Sequence, residues 1–505
     1  MRRAKQLLLH TSAMTATSLL MRTIALVFQV YVAGKIGAAG IGLFQLVMSV
    51  YTLATTVAVS GVRLAATRLI AQQTGRGDNA AIRRATGCAM GYAAFFGMAA
   101  LLLLYYLAPA AAAWVGDDRI ILSLRVLAFA LPFVAASGAM GGYFIAMHQS
   151  VKMSLVQLSE QFIRIGCTVL ALLRLGGYGL EYACGALTLG MLASEVFSFL
   201  ALLLLLLASL PRPMLPSLLR ITVPLSLSSY ARSALSTAQH LLVPRGLRLF
   251  GGGAQAALAA YGVIQGMSLP ILLFPAALIA VIADLIVPEL TEAQVQGRLR
   301  GLDYMLERLY RLGLFFSMAV AGACFFFAHP LGELIYSEPA AGQYIRLLAP
   351  LVPIMYMDTL VDGMLKGVGE YRANMRYNII DAATGLLLVW LLLPRYGVAG
   401  YLFSISATEL LNFALSAARL TRVTVFRLQP LCWLLTAAAA VGGWWLLRLI
   451  FGRLLSRTGQ PLILLLLVFL YLACYGAALL LCGALRREEL SWLFSLLRGE
   501  KSPKT

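Results

Sequence analysis

The sequence predicts an all-α integral membrane protein of about fourteen transmembrane helices: two six-helix lobes in parallel repeat plus two C-terminal helices. Three observations carry this. First, the 505 residues are 61% hydrophobic and only 12% charged, with a mean hydropathy of +0.84; soluble domains carry about a quarter charged residues. Second, apolar runs long enough for a hydrocarbon core of about 30 Å, about 20 residues each, follow one another with short polar breaks. Third, the first two hundred residues match the second two hundred in order.

The runs fall near 8–34, 41–73, 82–108, 120–146, 151–173, 182–208, 218–243, 257–288, 305–328, 343–365, 374–393, 398–418, 430–450 and 461–484; these are spans 1 to 14. They are continuous and rich in Leu, Ala and Gly, without the two-residue alternation of outer-membrane strands. No loop is long enough for a water-soluble domain, so function is expected within or on the membrane. The basic-then-apolar start, 1-MRRAKQLLLHTSAM-14, has the order of a signal peptide. The apolar part runs on past Arg22 with no small-residue cleavage site, so it reads as an uncleaved first helix.

The net charge is +19. Lys and Arg concentrate in segments that are cytoplasmic if both termini are inside, which is the positive-inside pattern. They are dispersed at helix ends rather than gathered in one patch, which argues against nucleic acid and for lipid headgroups as partners. The seven cysteines are scattered through apolar runs with no C-x-x-C, so neither metal nor disulfides are expected. No phosphate loop and no Ser/His/Asp set appears. The GGG at 251–253 precedes no Lys-Ser/Thr and reads as a turn.

The repeat is specific in its residues. The stretch 124-LRVLAFALPF-133 matches 345-IRLLAPLVPI-354 at an offset of 221, pairing Arg125 with Arg346 and Pro132 with Pro353. The same offset carries Gly142 to Gly363 and Glu160 to Asp381. At an offset of 210, 18-SLLMR-22 falls on 228-SSYAR-232, Gln29 on Gln239 and Lys35 on Arg245. At 220, 42-GLFQ-45 falls on 262-GVIQ-265; at 214, 194-SEVFSFLA-201 resembles 408-TELLNFAL-415. This gives an N-lobe over 1–210, a C-lobe over 211–425, extra helices over 426–485 and a cytoplasmic tail over 486–505. Each copy has an even number of spans, so both have one orientation, related by an axis along the membrane normal. In such architectures substrate binds between the repeats near the midplane.

Polar residues fall in stripes on a 3.6-residue period. Span 1 has Thr11, Thr15, Ser18, Arg22 and Gln29; span 2 has Gln45, Ser49, Thr52, Thr56, Ser60, Arg63 and Thr67; span 7 has Ser229, Arg232, Ser236 and Gln239. Intramembrane polar residues face a bundle interior or a wet cavity. Snorkelling to the headgroups is the bland reading of Arg22, Arg63 and Arg232 and the expected role of Arg68 alone; Arg232 lies over ten residues from Arg220 and is deep. The alternative is a cationic cavity for an anionic guest, because Arg makes bidentate, charge-assisted bonds to phosphate. The candidate head-group residues are Arg22, Arg63, Arg68, Arg232, Gln29 and Gln239.

In span 10, Asp358, Asp362 and Lys366 stand at i, i+4 and i+8, followed by Glu370, Arg372 and Arg376. They read as a salt-bridged cytoplasmic end or, with Asp381, as a coupling or gating site. Asn378 and Thr384 of span 11 and Glu160 of span 5 join these candidates, although Arg164 at i+4 makes internal pairing the plainer role for Glu160.

The stretches 40-GIGLFQLVMSVYTLATTVAVSGVRLAATRLIA-71, 283-ADLIVPELTEA-293 and 356-YMDTLVDGMLKGVGEYRANMRYNIID-381 resemble the multidrug/oligosaccharidyl-lipid/polysaccharide exporter superfamily. Within it they resemble the stage V sporulation protein B-like branch of polysaccharide flippases. The likeness covers nearly the whole chain. It implies alternating access by two six-helix lobes in a bacterial cytoplasmic membrane, with no enzymatic activity. It also implies flipping of an undecaprenyl-pyrophosphate-linked saccharide, for the peptidoglycan branch lipid II, in spore-cortex or wall synthesis. Such lipid II flippases carry cavity-facing arginines on helices 1, 2 and 8 and a lipid-tail groove at helices 13–14. Between Tyr261 and Glu289 this chain has no basic residue, only Asp284, and Arg232 is the inferred substitute. Sodium-coupled relatives use an acidic residue on helix 7, which is absent here, with Asn, Asp and Thr on helix 11. No cofactor is implied; coupling to Na+ or H+ stays open, and a monomer is expected. The alternative within the superfamily is a multidrug/cation antiporter, which would favour carboxylates around its cavity.

Overall fold

The computed structural model describes residues 2–59, 79–147, 150–207, 219–251, 253–283, 290, 299–424, 429–455 and 458–483, and among them every regular element is helical. In chain order these are α1 (Arg2–Val59), α2 (Asn79–Val115), α3 (Ile120–Ala128), α4 (Leu131–Ala146), α5 (Ser150–Leu175), α6 (Leu180–Leu207), α7 (Leu219–Leu249) and α8 (Ala254–Val263). A π turn (Ile264–Ser268) leads to α9 (Leu269–Leu273). Then come α10 (Leu299–Phe326), α11 (Ala328–Tyr336), α12 (Pro339–Leu348), α13 (Val352–Gly367), α14 (Tyr371–Val423), α15 (Pro430–Leu455) and α16 (Pro461–Leu481). Ten described helices are long and apolar enough to cross a membrane, or eleven if the bent pair α3–α4 is one span. The described residues thus support a multi-pass membrane protein and do not establish the count of fourteen.

Two departures from the expected spans have local causes. Spans 1 and 2 are joined in α1 and spans 11 and 12 in α14, with no intervening loop. The breaks reduce to single glycines, Gly37 (φ 68, ψ 178) and Gly397 (φ 55, ψ −133). Both have positive φ, which glycine adopts without steric cost. A straight 53-residue helix would run about 80 Å at about 1.5 Å per residue, far beyond a bilayer core of about 30 Å, so α14 has to break. Span 4 is likewise two helices, bent by 44° between α3 and α4. Pro132 sits in the first turn of α4, where its missing N–H leaves no hydrogen bond unmade.

The chain divides into two compact units. One comprises Met1–Leu19, Met267–Tyr377 and Ile405–Thr505; the other comprises Leu20–Gly266 and Asn378–Ser404. Neither coincides with a repeat half, because the repeat is a relation of sequence and the units one of proximity.

In the second unit, α5 packs along α6, α2 packs against α3 and α4, and α6 also receives α3 and α4. Arg125 of α3 lies over the Tyr105 ring of α2, 5.2 Å from its centroid. In the first unit the repeat partner Arg346 of α12 lies over Phe325 of α10, also at 5.2 Å. Tyr105 and Phe325 are themselves 220 residues apart, so the repeat preserves a contact as well as a pattern. Each is a cation–π pair.

The C-terminal helices α15 and α16 pack on each other and on α10 of the first unit. Trp444 stacks on Phe326 at 4.5 Å between centroids. Trp433 Nε1 donates to the Tyr310 hydroxyl at 2.9 Å, and the Tyr475 hydroxyl donates to the Phe315 carbonyl at 3.0 Å. Aromatic side chains fill much area, and their polar tips still find partners. The outer faces stay apolar: Leu449, Leu462 and Leu481 are 85%, 79% and 80% exposed. That surface suits lipid rather than water.

Candidate functional site: two cavities beside α1

Both cavities described here lie within the second unit. The helical segment of α1 after Gly37 forms a wall common to them, because its polar stripe repeats every three to four residues. Gln45, Met48 and Thr52 line both.

The first cavity has a volume of about 540 Å³. From α1 it takes Gln45, Ser49, Thr52 and Thr56; from α7 it takes Arg232, Ser233, Ser236, Thr237 and His240. Tyr261 of α8 and Gln265 of the π turn complete it. The walls are fixed by side-chain bonds. Thr237 Oγ1 donates to the Ser49 carbonyl at 3.0 Å, tying α7 to α1. His240 Nδ1 and the Tyr261 hydroxyl are hydrogen-bonded at 3.1 Å. Gln265 donates from Nε2 to the Tyr401 hydroxyl. Arg232 is the single permanently charged residue of this lining, and no carboxylate is among the lining residues. Its guanidinium has no ion-pair partner among the described residues. Arg232 is exposed rather than buried, and an unpaired cation on a membrane protein's helix reaches the interface or marks a ligand path.

The second cavity, about 450 Å³, is more apolar and lies between α1, α5 and α6. Its polar lining is Gln29, Gln45, Thr52, Gln161, Arg164 and Thr168. Gln29 Nε2 donates to the Gly266 carbonyl in the π turn at 2.6 Å. π turns interrupt the regular hydrogen-bond ladder and recur at functional sites; here the irregular turn offers Gln29 a carbonyl. Arg164 is held by Glu160 at 2.6 Å, contacts Glu195 at 3.5 Å, and donates from Nε to Ser194 Oγ at 3.2 Å.

The candidates from the sequence therefore separate. Arg232 and Gln29 line different cavities that share one wall. Gln239 packs on Gly385 of α14, where an added Cβ would lie 2.7 Å from Gln239 Oε1. Arg22 is exposed and lines neither cavity. Arg63 and Arg68 lie outside the described residues.

The coupling candidates divide between the two units. In the first, Asp358 Oδ2 accepts from Asn412 Nδ2 at 2.9 Å and Asp362 Oδ1 accepts from Ser416 Oγ at 3.2 Å, both joining α13 to α14. Glu370 at the foot of α14 takes a bidentate pair from Arg419 at 2.9 and 3.0 Å through Nη2. Asn378, Asp381 and Thr384 are half-buried on the α14 segment of the second unit, while Glu160 is bound to Arg164. All seven cysteines are free, and no group of three His, Cys, Asp or Glu suited to a metal occurs among the described residues.

Sequence periodicity did not reveal His240, Tyr261 or Gln265. His240 follows Gln239 directly and falls off the stripe. Gln265 had a signal, since it is the repeat partner of Gln45, and both line the first cavity. Glu195 had one too, in the match of 194-SEVFSFLA-201 to the second half.

Known proteins resemble this chain in sequence and in fold. Stage V sporulation protein B of Bacillus subtilis (strain 168) is 25% identical over 438 residues, 83% of this chain and 85% of that protein. The lipid II flippase MurJ of the same organism is 25% identical over 171 residues, 32% of this chain and 31% of that protein. Among solved structures, lipid II flippase MurJ in an inward closed conformation aligns with a TM-score of 0.67 at 12% identity, covering 92% of this chain and 97% of that one. An inward-facing multidrug resistance transporter of the MATE family in the MOP superfamily aligns at 0.63 and 14% identity, covering 81% and 98%. These structures show that the chain shares its fold with the MATE-family transporter and MurJ. The sequence profile of the polysaccharide biosynthesis protein family matches residues 7–284, more than half of the 505, and the chain belongs to that family.

Proposed function

We propose that this protein is a flippase, not an enzyme, that moves an undecaprenyl-pyrophosphate-linked saccharide from the inner to the outer leaflet by alternating access. The observation that carries this reading is the first cavity. It presents Arg232, amides and hydroxyls with no carboxylate in its lining, which suits an anionic, hydroxyl-rich head group. Arg232 forks two N–H donors onto phosphate oxygens, and Gln45, Ser49, Thr52 and His240 bond the sugar. About 540 Å³ lies within the usual range for small-molecule sites, roughly 300–1,000 Å³. The polyprenyl tail remains in lipid. Arg22, Arg63 and Arg68 serve as further basic contacts on the path of the head group. The cargo belongs with lipid II and related precursors of wall, cortex or polysaccharide. The protein works as a monomer in a bacterial cytoplasmic membrane with both termini inside, without a cofactor, driven by an ion gradient.

The multidrug/cation antiporter shares the fold, but a cationic drug would find Arg232 opposing it in this cavity.

The test is reconstitution. Purified protein in vesicles with lipid II on one leaflet should raise lipid II on the other above protein-free vesicles. Failure with lipid II but success with another undecaprenyl-linked glycan would keep the class and change the sugar. Failure with every such lipid, in either direction of an imposed Na+ or H+ gradient, would end the proposal.

A further inference from the structure

We propose that Glu195, with Glu160 and Arg164, forms an exchangeable proton site beside the second cavity. Arg164 Nη2 serves both carboxylates: it is 2.6 Å from Glu160 Oε1 and 3.5 Å from Glu195 Oε1. The first contact is a charge-assisted hydrogen bond; the second is too long for one. Glu160 and Arg164 neutralise each other, and Glu195 is the odd charge. The glutamates are only 17% and 15% exposed. Two carboxylates sharing one cation inside a membrane favour holding a proton between them, and they titrate as a unit.

Tyr51 of α1 is buried within reach of the trio's charges, Glu195 first, and its hydroxyl is set against Thr55. From α5 the charges on Glu195 are Glu160 and Arg164, with no other from the described residues. The segments α3 and α4, also packed on α6, hold only Arg125 and Tyr143 as ionisable groups, and Arg125 is engaged over Tyr105.

In the exchange, a proton from cavity water forms an O–H bond on a Glu195 oxygen. The trio then goes from one net negative charge to none, and no electrons move. Arg164 lines the cavity, so the proton changes the charge of a cavity wall. Given the flippase reading, an anionic head nearby would favour proton uptake, and the site is where proton coupling would enter the cycle. The proton site itself needs no cargo, so its failure and that of the flippase reading are separable.

The experiment is infrared difference spectroscopy of the reconstituted protein across neutral pH, reading the C=O band of protonated carboxyls. The wild type should show a carboxyl band that grows as pH falls. Glu195→Gln should remove it, and Glu195→Asp, which retains the acid, should move it. Glu160→Gln should displace its titration by tenfold or more in proton concentration toward acid, because Arg164 is then free for Glu195. A band that does not change with pH, or one that survives Glu195→Gln, would overturn the proposal. So would a titration unmoved by Glu160→Gln, or a site filled by Na+ in place of the proton.

Discussion

Gly42 and Gly262 hold matching positions in the two sequence repeats, and they meet: a Cβ added to Gly262 would lie 2.6 Å from the Gly42 nitrogen and 2.1 Å from the Ala38 carbonyl oxygen. A Cβ on Gly42 would lie 2.1 Å from the Leu258 carbonyl oxygen. The obstructing atoms are backbone, which cannot swing aside. Small residues at a membrane helix crossing let the two backbones approach closely. The crossing joins α1 to α8 three residues before Gln45 and Gln265, which line the first cavity.

The first prediction follows from that contact. Gly262→Ala and Gly42→Ala should each destabilise the protein by about 2–3 kcal/mol, the upper part of the range for overpacking. Thermal unfolding in detergent, followed by size-exclusion chromatography, should show a lower midpoint for both. Gly166→Ala, inside α5 where an added Cβ meets nothing within 4 Å, should not lower it and should raise it slightly, since Ala is favoured over Gly in a helix by about 0.5–1 kcal/mol.

Tyr261 is 1% exposed and its hydroxyl is bonded to His240. Tyr261→Phe should cost about 1–2 kcal/mol by leaving a buried polar group unpaired. It should weaken transport as well, since His240 would lose the partner that fixes its ring. Double substitution with His240→Leu should recover part of the stability and none of the transport.

Asp117 gives a pH dependence outside the membrane spans. Burial pushes its carboxyl up, but hydrogen bonds and charge from Arg119, with Arg248 nearby, outweigh this and hold it below the usual carboxylate range. Arg119 Nη2 is 2.6 Å from Asp117 Oδ2. A lowered folded-state value means stability present above the unfolded-state value and lost as pH falls through the folded one. Asp117→Asn should therefore lower the unfolding temperature near neutral pH and make no difference at strongly acidic pH. Equal losses at both would contradict this.

Much of this was legible because membrane insertion simplifies the code. Apolar length gave the helices, and the stripe at Gln45, Ser49, Thr52 and Thr56 gave the wall of the first cavity. The repeat gave the twinned contacts of Arg125 and Arg346. Breaks were harder: Gly37 and Gly397 look like any of the 45 glycines, and only backbone geometry marks them out. Arg22 and Arg232 match in sequence, yet of the two only Arg232 lines one of the two cavities described, because a repeat preserves positions in the chain and not the surroundings. His240 became visible only when helices distant in sequence were brought together, and Glu195, although it lies in a repeat match, gained its partner Arg164 only in the folded chain.

The most direct measurement of the central claim is lipid II movement across reconstituted vesicles by wild type, Arg232→Lys and Arg232→Ala, at matched amounts of folded protein. The account predicts full activity for wild type and partial activity for Lys, which keeps the charge and loses the fork. For Ala it predicts a loss of at least about tenfold, the 1.4 kcal/mol scale of one charge-assisted bond. Transport by Arg232→Ala at the wild-type rate would contradict the claim that this cavity receives the anionic head group.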